Sequence, residues 1–485
     1  MYIFVILKGV VKLMVFADEL FIFLFLPACL LLYFLMPKLQ WKNNVLILFS
    51  LIFYAWGEQW YLLLLLASSL VNFAAGRLLD KYKDTPKGKA MLALSLVVNL
   101  GTLAVFKYSG FFIENLNLLP FINIPVPQMH MPIGISFFTF QNISYTLDCW
   151  WDKTPSQRSF RKYLLYISMF PQLVAGPIVR YSQIAAEIDD RKTTMQDISD
   201  GYTRVIIGIS KKVIIANNLH LAVTACFGEA KDGYAAAEGL TVFGAWYGAA
   251  LVALWYFFDF SGYSDIAIGL GRIFGFHFDE NFNYPFICRS IAEFWQRWHI
   301  SLGSFFRDYL LYVPIFGKRR KYGGLLLVWF CTGLWHGASW NFILWGLYYG
   351  LFIFIETLIG KKKMKKLPSV IAHIYTKAVI IIGFGIFYFE DMSSLGRFFK
   401  GLFGIGTTLT TPIMNRVFLQ YVFLFAAAVL LTLPIGKKLG ELSKKSAEGA
   451  YAFQMSKIVC NVALLLISGI LLLNTTNNPF LYFRF

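Results

Sequence analysis

The sequence predicts an all-α polytopic membrane protein, and three observations support this: its composition, its long apolar runs and the placement of its positive charges. Of the 485 residues, 58% are hydrophobic, 18% are aromatic and only 15% are charged, and the mean hydropathy is +0.59. Soluble domains are about 45–50% apolar and about 25% charged, and disordered chains contain few aromatic residues. The composition therefore excludes a soluble globule and a disordered chain.

Long apolar runs predict a bundle of about 11–13 spans, each of about 20 residues. A further run, residues 163–179, is interrupted by Pro171, Gly176 and Pro177, which predicts a re-entrant or broken helix covered by protein or water. The predicted spans lie at roughly 19–37, 43–57, 59–79, 89–107, 132–150, 205–227, 241–258, 323–337, 341–359, 370–389, 417–434 and 457–473.

The positive charges predict an orientation in the membrane. Residues 80–90 and 151–162 are rich in Lys and Arg, whereas residues 108–150 contain neither. The positive-inside rule therefore places the two basic loops in the cytoplasm and residues 111–131 outside. A net charge of +17 then fits cytoplasmic loops beside anionic lipids, and no nucleic-acid partner is expected. The same rule puts both chain ends outside and three further basic clusters inside, at 318–321, 361–366 and 437–445.

Residues 258–322 differ from the rest because apolar and charged side chains are mixed there. This composition favours short helices packed inside the bundle or at its inner interface over lipid-facing spans. An apolar stripe at helical spacing predicts one amphipathic helix over 293–313. The buried side of that helix would be formed by Trp295, His299, Leu302 and Phe306.

His336 stands apart among the six histidines because it follows a long apolar run. On the predicted topology it lies about 20 Å along a helix, deep in a hydrocarbon core of about 30 Å. An ionisable residue at that depth suggests function, whereas the structural alternative is a neutral imidazole bonded to a backbone carbonyl. Close backbone approach at two glycines and a cavity walled by two tryptophans are expected around it, at Gly333, Gly337, Trp335 and Trp340.

The other histidines have simpler interpretations. His130, His220 and His373 lie near predicted span ends and fit interfacial positions, and His277, beside acidic residues, fits a structural hydrogen bond. A neutral imidazole is the usual general base near neutral pH, so His336 is the histidine to which we assign chemistry.

Other chemistries find little support. No GxSxG, HExxH, Walker A or GxGxxG motif occurs. The six cysteines form no CxxC pair, and no cluster of His, Cys and carboxylates has zinc-ligand spacing, so the predicted site is metal-free. Asp148, Asp259 and Asp265 mark either a proton or solute path or buried hydrogen-bonding positions, and Asp265 is the first of them to test.

Two histidine-containing segments carry a family resemblance: EFWQRWHISLGSFFRDYLLYVPI (293–315) and TGLWHGASWNFILWGLYYG (332–350). Together they resemble the membrane-bound O-acyltransferase (MBOAT) superfamily, and within it the alginate O-acetyltransferase AlgI-like branch, which is related to the DltB branch. Residues 1–13 have no counterpart in that branch and are either an interfacial extension or precede a start at Met14. Five further segments are similar to the branch, at 14–37, 137–148, 170–181, 387–404 and 478–485.

The resemblance implies a single MBOAT-type transmembrane domain over 1–485, with many helices around a central funnel or tunnel and a catalytic core region at 258–350. It implies that His336 matches the superfamily's catalytic histidine and that His299 matches the second histidine of this branch. It also implies a multi-pass protein of the bacterial cell membrane.

The resemblance further implies that no cofactor is bound and that the donor substrate is a cytoplasmic acyl thioester, with acetyl-CoA as the expected donor. The acceptor would be a hydroxyl outside the membrane. Relatives in this superfamily serve alginate, other exopolysaccharides, peptidoglycan or, with D-alanine, teichoic acids. They act with a separate extracytoplasmic partner, often an SGNH-type acetyltransferase.

The resulting hypothesis has a hydroxyl of a polysaccharide or partner protein enter from outside, lose its proton to His336 and attack the thioester, which enters from inside. His299 would orient the donor, support His336 or polarise the carbonyl, and the sequence leaves these roles open. Arg297 is a candidate for holding CoA phosphates. The remaining candidates for the substrate path are Trp335, Trp298, Asp308 and Asp265.

Two alternative functions remain open from the sequence. A transporter of glycans or lipid-linked sugars would explain the intramembrane acids and the broken helix. A non-catalytic membrane subunit that docks an extracytoplasmic enzyme would explain the apolar bundle without requiring either His336 or His299.

Overall fold

The computed structural model describes residues 14–127, 129–228, 240–311 and 321–473. Within these ranges every regular element is a helix, apart from one isolated bridge between Phe282 and Trp298, so the all-α prediction is confirmed. The segment 1–13, most of the basic cluster 318–321 and the closing segment 478–485 lie outside the described residues.

The described helices form two compact units. The first unit takes the residues up to Val205 together with Tyr263–Asp279, and the second takes Ile206–Gly262 and the residues that follow Asp279. In chain order, the helices that begin in the first unit are α1 (Leu26–Leu35), α2 (Leu39–Gly57), α3 (Tyr61–Tyr82), α4 (Pro86–Leu103), α5 (Ser109–Leu116), α6 (Ile135–Trp150), α7 (Phe160–Ser168), α8 (Phe170–Leu173), α9 (Tyr181–Asp189) and α10 (Met195–Ser210).

Buried polar side chains join three apolar helices of the first unit. The amide of Asn99 on α4 donates to Asn72 Oδ1 on α3 at 2.7 Å, and the Ser95 hydroxyl donates to the same oxygen at 2.9 Å. On α6, the amide of Asn142 donates to Ser68 Oγ of α3 at 2.9 Å. Interhelical hydrogen bonds of this kind hold membrane helices together where the hydrophobic effect between them is absent.

The break predicted within 163–179 is present. Helix α7 ends at Ser168, Met169 has an extended ψ of 111°, and the short helix α8 follows. All residues from Tyr163 through Val179 are buried, so protein covers the irregular backbone as the physics of the bilayer requires.

The second unit contains the two segments that carry His299 and His336. The helices that begin in it are α11 (Asn217–Phe227), α12 (Val242–Ile273), α13 (Ile291–Trp295), α14 (Ile300–Tyr309), α15 (Lys321–His336), α16 (Trp340–Ile359), α17 (Lys361–Lys365), α18 (Ser369–Tyr388), α19 (Met392–Leu402), α20 (Pro412–Leu431), α21 (Ile435–Ser443) and α22 (Ala447–Leu473).

Eight helical stretches in the described residues are long and apolar enough to cross a membrane. Three more predicted spans are also helical, as α2, α6 and α15, although these helices are shorter or more polar, and Phe21–Leu35 is a shorter apolar helix. The eight stretches are Tyr61–Tyr82, Pro86–Leu116, Met195–Phe227, Val242–Ile273, Trp340–Ile359, Ser369–Tyr388, Pro412–Leu431 and Ala447–Leu473.

Helices α15 and α16 form a tight hairpin because glycines line their contact. A Cβ at Gly333 would collide with the carbonyl oxygen of Phe342, and a Cβ at Gly346 would collide with that of Trp329. Gly337, in the turn, would collide with the Phe342 ring in the same way. The close approach expected at Gly333 and Gly337 is therefore present.

Two local predictions are wrong. Residues 293–313 are not one helix, because α13 ends at Trp295 and α14 begins at Ile300. Between them His299 adopts φ 45° and ψ 54°, a left-handed conformation that interrupts an α-helix. The other error concerns residues 258–273, which continue the long helix α12 instead of forming short helices.

Ion pairs explain why a segment of mixed composition stays in α12. The Asp259 carboxylate lies 2.6 Å from the Lys212 ammonium, and both side chains are buried. Further along α12, Asp265 pairs with Arg204 at 3.0 Å. Paired charges can be buried at far lower cost than isolated ones. A prediction from apolar residues alone therefore underestimates the length of such a helix.

Candidate functional site

His336 is the last residue of α15 and lies in an aromatic cage. Its side chain is buried, with 6% of the residue exposed. The ring centroid lies 4.8 Å from that of Trp345, 4.9 Å from that of Trp335 and 5.0 Å from that of Phe387. All three contacts are edge-to-face, the geometry that aromatic quadrupoles favour, so the imidazole has a defined orientation.

Asn341 holds one wall of this cage in place. Its amide donates to the backbone carbonyl oxygens of Phe387 at 3.1 Å and Ile386 at 3.3 Å, and its side chain is fully buried. These bonds tie the beginning of α16 to the end of α18, where the backbone has few helical partners. Phe387 is thereby fixed against His336.

Trp335 joins the two histidines. Its ring contacts His336 and also lies 5.8 Å from the ring of His299. His299 has only 2% of its surface exposed and packs edge-to-face on Phe260 of α12 at 4.7 Å. The histidine pair that the sequence singled out, and the tryptophan beside it, therefore belong to one cluster in the second unit.

Burial sets the protonation state of His299, which lies between α13 and α14. Desolvation lowers the pKa of its imidazole from 6.5 to about 3, because the charged form loses its hydration when the ring is buried. His299 is therefore neutral at physiological pH. A neutral imidazole carries one N–H donor and one lone-pair acceptor.

The segment 281–283 pairs with the backbone that contains His299. The Asn283 N–H donates to the Arg297 carbonyl at 2.9 Å, and the Ile300 N–H donates to the Asn281 carbonyl at 3.0 Å. The Asn281 side-chain oxygen also accepts the Ser301 N–H at 3.2 Å. Because His299 supplies no side-chain cap to α14, Asn281 satisfies N–H groups that a helix start leaves unpaired.

Glu356 anchors α13 from the neighbouring helix α16. Its two carboxylate oxygens accept the N–H groups of Ile291 at 2.7 Å and Ala292 at 2.9 Å, and the Tyr375 hydroxyl donates to it at 3.2 Å. A carboxylate at a helix N-terminus is favoured by unpaired N–H groups and by the helix dipole. The carboxylate thus fixes the short helix that leads towards His299.

A cavity of about 980 Å³ opens beside α13. Arg297, a predicted substrate residue, lies in its wall and pairs with Glu293 at 3.0 Å. The basic side chains in the wall outnumber the acidic ones, which suits an anionic ligand. These charged residues are Arg289, Arg297, Lys361, Lys365, Glu293 and Glu356.

The remaining predicted residues lie outside the cage around His336. Trp298 is buried in an aromatic cluster, with its ring 5.0 Å from that of Phe384. Asp308 pairs with its neighbour Arg307 at 2.7 Å. Asp265 belongs to the first unit, where it pairs with Arg204 as described above.

Trp340 does not wall the cage as expected, because 49% of it is exposed. Trp345 takes that place instead, since it lies five residues, or about 1.4 helical turns, further along α16, on the face that meets α15. His277 contacts Glu187 at 2.7 Å, which confirms the structural hydrogen bond expected for it.

Sequence reasoning missed Asn281, Asn341, Trp345, Phe387 and Glu356. Trp345 could have been found from the aromatic spacing in WNFILWG. The partners of the other four lie far along the chain, so local spacing carries no sign of them. The arrangement as a whole offers two buried imidazoles beside one indole, which suits proton transfer in a dry, preorganised site.

The described helices define a polytopic membrane protein that buries a histidine pair in its second unit. The MBOAT, membrane-bound O-acyltransferase family matches residues 48–380. This match covers more than half of the chain, and the chain belongs to that family. It is therefore an O-acyltransferase and a multi-pass protein of the bacterial inner membrane.

Individual relatives confirm the resemblance to the AlgI-like branch. The chain is 36% identical to the probable alginate O-acetylase AlgI of Pseudomonas aeruginosa, over 81% of this chain and 76% of that protein. It is 31% identical to the peptidoglycan O-acetyltransferase of Helicobacter pylori, over 97% of this chain and 98% of that protein. It is also 29% identical to the teichoic acid D-alanyltransferase of Bacillus subtilis, over 55% of this chain and 72% of that protein.

Proposed function

We propose that this enzyme is an O-acetyltransferase that moves an acetyl group from cytoplasmic acetyl-CoA to a hydroxyl on an extracytoplasmic polysaccharide or partner protein. The observation that carries the proposal is the cluster of His336, Trp335 and His299. The names of two relatives, an alginate O-acetylase and a peptidoglycan O-acetyltransferase, support acetyl as the group transferred and a cell-envelope polymer as the final acceptor.

The proposed reaction needs one general base and no metal. His336 accepts the proton of the acceptor hydroxyl while the hydroxyl oxygen forms a bond to the thioester carbonyl carbon. The carbon–sulfur bond then breaks, and the CoA sulfur leaves and takes the proton back from the imidazolium. The edge-to-face rings around His336 support this role, because they hold the imidazole in one orientation and exclude water.

The donor approaches from the cytoplasmic side in this proposal. The basic cavity lined by Arg297 lies next to the Lys-rich segment at 361–366, which the positive-inside rule assigns to the cytoplasm. We therefore assign Arg297 to the phosphates of CoA. Trp335 lies beside His336 and His299. We assign Trp298, Asp308 and Asp265 an indirect part, in which each supports the substrate path by holding its own helix or loop in place.

The acceptor and partner follow from the location of the two substrates. Acetyl-CoA is made in the cytoplasm, and envelope polysaccharides lie outside, so the acetyl group has to cross the membrane through this chain. An extracytoplasmic SGNH-type acetyltransferase is the partner that we propose to receive it. No cofactor takes part.

Replacement of His336 by Ala tests the proposal. We expect acetyl transfer from labelled acetyl-CoA and the O-acetyl esters of the envelope polymer to fall at least about 100-fold, because a general base typically contributes 10²–10⁴-fold. The matched control is His373→Ala, which removes a histidine of α18 outside the cage. Membrane insertion and partner binding should be unchanged in both variants.

The same variants separate the alternative functions. A transporter would keep moving its solute in His336→Ala and would transfer no label from acetyl-CoA. A docking subunit would support full acetylation in cells even when both His336 and His299 are replaced. Wild-type acetylation in His336→Ala would contradict the proposed function.

A further inference from the structure

We propose that Asn281 is a positioning residue that holds His299 in the tautomer with a proton on Nδ1, so that Nε2 serves as a hydrogen-bond acceptor in the site. For its effect on catalysis the inference rests on the proposed function, whereas the tautomer itself can be tested without any activity. The contacts of one oxygen, Asn281 Oδ1, carry the argument.

The orientation of the Asn281 amide is fixed by a group that can only donate. The backbone N–H of Ser301 lies 3.2 Å from Oδ1, and a backbone N–H has no acceptor character. The atom that faces it must therefore be the amide oxygen and not the amide nitrogen. The Ser301 hydroxyl lies 2.9 Å from the same oxygen and donates to it.

The orientation of the amide determines where His299 carries its proton. The Nδ1 atom of His299 lies 3.1 Å from Asn281 Oδ1. Because that oxygen accepts only, Nδ1 must donate to it, and in the neutral ring Nε2 then keeps the lone pair. Nδ1 could in principle accept from the Ser301 hydroxyl, 3.4 Å away. The lone pair of Nδ1 would then face Asn281 Oδ1, which lies closer and is itself an acceptor, so this arrangement is unfavourable.

The backbone makes this arrangement rigid. Asn281 also accepts the Ile300 N–H through its own carbonyl, so the backbone and the side chain of one residue hold the segment that follows His299. The left-handed φ of 45° at His299 persists because these bonds determine it. The imidazole cannot exchange its two nitrogens without breaking the contacts of Asn281.

The tautomer narrows the role of His299. Of the three roles left open by the sequence, polarising the thioester carbonyl requires an N–H donor at the end of the ring that faces away from Asn281, and Nε2 carries none. His299 can instead accept a hydrogen bond from an N–H or O–H of a bound substrate. The tautomer thus excludes the polarising role. Of the remaining roles, we assign to His299 the orienting of a substrate through a hydrogen bond that Nε2 accepts, with Asn281 acting through His299.

The tautomer can be measured directly by ¹⁵N NMR of the full-length protein labelled with ¹⁵N-histidine in detergent micelles at pH 7.5. The His299 resonances are assigned by their loss in His299→Asn. We expect a protonated-type shift for Nδ1 and a lone-pair-type shift for Nε2. The opposite pattern would overturn the inference and would leave the proposed function standing.

Two variants of Asn281 test the consequence for catalysis. Asn281→Leu keeps the size of the side chain but removes the acceptor, and we expect kcat to fall at least about tenfold with KM nearly unchanged. Asn281→Asp keeps oxygens for all three donors, so most of the activity should return. Its carboxylate favours the imidazolium, so the acidic limb of the kcat profile should move to higher pH.

The pH readout distinguishes positioning from a purely structural role, under which Asn281→Asp would keep the wild-type profile. A wild-type kcat in Asn281→Leu, or an unmoved profile in Asn281→Asp, would contradict the inference. If Asn281→Leu fails to fold, the NMR spectrum and the Asp variant still decide. The other titratable groups on the elements packed against His299 are the same in all variants, so they cannot cause a difference between the pH profiles. Three of them belong to ion pairs, Asp259 with Lys212, Glu293 with Arg297 and Asp308 with Arg307. The other two are Glu280 and His336.

Discussion

Three constraints meet in the single residue His299: a left-handed backbone, complete burial and a hydrogen bond from Nδ1 to Asn281. Asparagine is the substitution that respects most of them. Its side-chain amide can donate from the position of Nδ1, and it tolerates the left-handed region better than most residues. His299→Asn therefore removes Nε2 and the titrating ring while it leaves the local fold intact.

We expect His299→Asn to change how stability depends on pH. The pKa of His299 lies near 3 in the folded protein, below its ordinary value of 6.5, so between these values the unfolded chain binds the extra proton. Its contribution to stability is therefore complete above pH 6.5 and is lost as the pH falls towards 3, by at most about 1.4 kcal/mol per pH unit.

Thermal unfolding in detergent, followed by tryptophan fluorescence at pH 7.5, 6.5, 5.5 and 4.5, checks this expectation. The wild-type melting temperature should fall more steeply below pH 6.5 than that of His299→Asn, while the two proteins should melt alike at pH 7.5. Equal slopes in acid would mean that His299 is not a buried, neutral imidazole.

At the same scale, the sequence points to the candidate reactive residues better than to the residues that position them. His336 could be singled out because an imidazole in an apolar run is physically costly and therefore conspicuous. His299 was indicated by the family resemblance, and Trp335 by its place beside His336. Asn281 could not be predicted, since an asparagine in a loop 18 residues before His299 looks like any turn residue. Only the folded backbone brings its oxygen to Nδ1.

At the scale of helices, the α15–α16 hairpin decides where His336 lies. Gly333→Ala or Gly346→Ala would place a methyl group against a backbone carbonyl of the facing helix, which cannot move aside as a flexible side chain can. We expect either variant to lose about 1–3 kcal/mol of stability, the usual cost of overpacking, and to lose activity as the cage opens.

Gly469→Ala is the matched control, because a Cβ there meets nothing within 4 Å and Gly469 also lies inside a long apolar helix. Melting temperature in detergent and acetyl transfer would be measured for all three variants. A Gly333→Ala protein as stable and active as Gly469→Ala would show that the close approach of α15 and α16 is not required.

Helix positions were predictable where apolar runs are long, and they were not predictable where charges or backbone exceptions intervene. The runs at 341–359 and 370–389 became α16 and α18 almost residue for residue. The run at 241–258 extended to Ile273 because Lys212 neutralises Asp259. A helical period, by contrast, cannot reveal that the pairing of 281–283 with 297–300 interrupts the predicted helix at His299.

At the scale of the whole molecule, the proposed function requires the enzyme to bring together two substrates from opposite sides of a membrane, and the orientation of its loops decides which substrate meets which surface. The positive-inside rule makes 361–366 cytoplasmic and 111–131 extracytoplasmic. The basic cavity beside α13 would then face the cytoplasm, the side on which a nucleotide thioester is available.

Labelling with a membrane-impermeant maleimide tests this orientation. We expect Phe121→Cys, whose parent side chain is fully exposed, to react in intact spheroplasts. Lys363→Cys, in the basic segment that contains α17, should react only after the membrane is opened, because polar reagents do not cross the hydrocarbon core. Both changes are made in a Cys460→Ser background, since Cys460 is the exposed cysteine among the described residues. Labelling of Lys363→Cys in sealed cells would reverse the orientation, and an acyl donor from the cytoplasm could then no longer reach the site through the basic cavity.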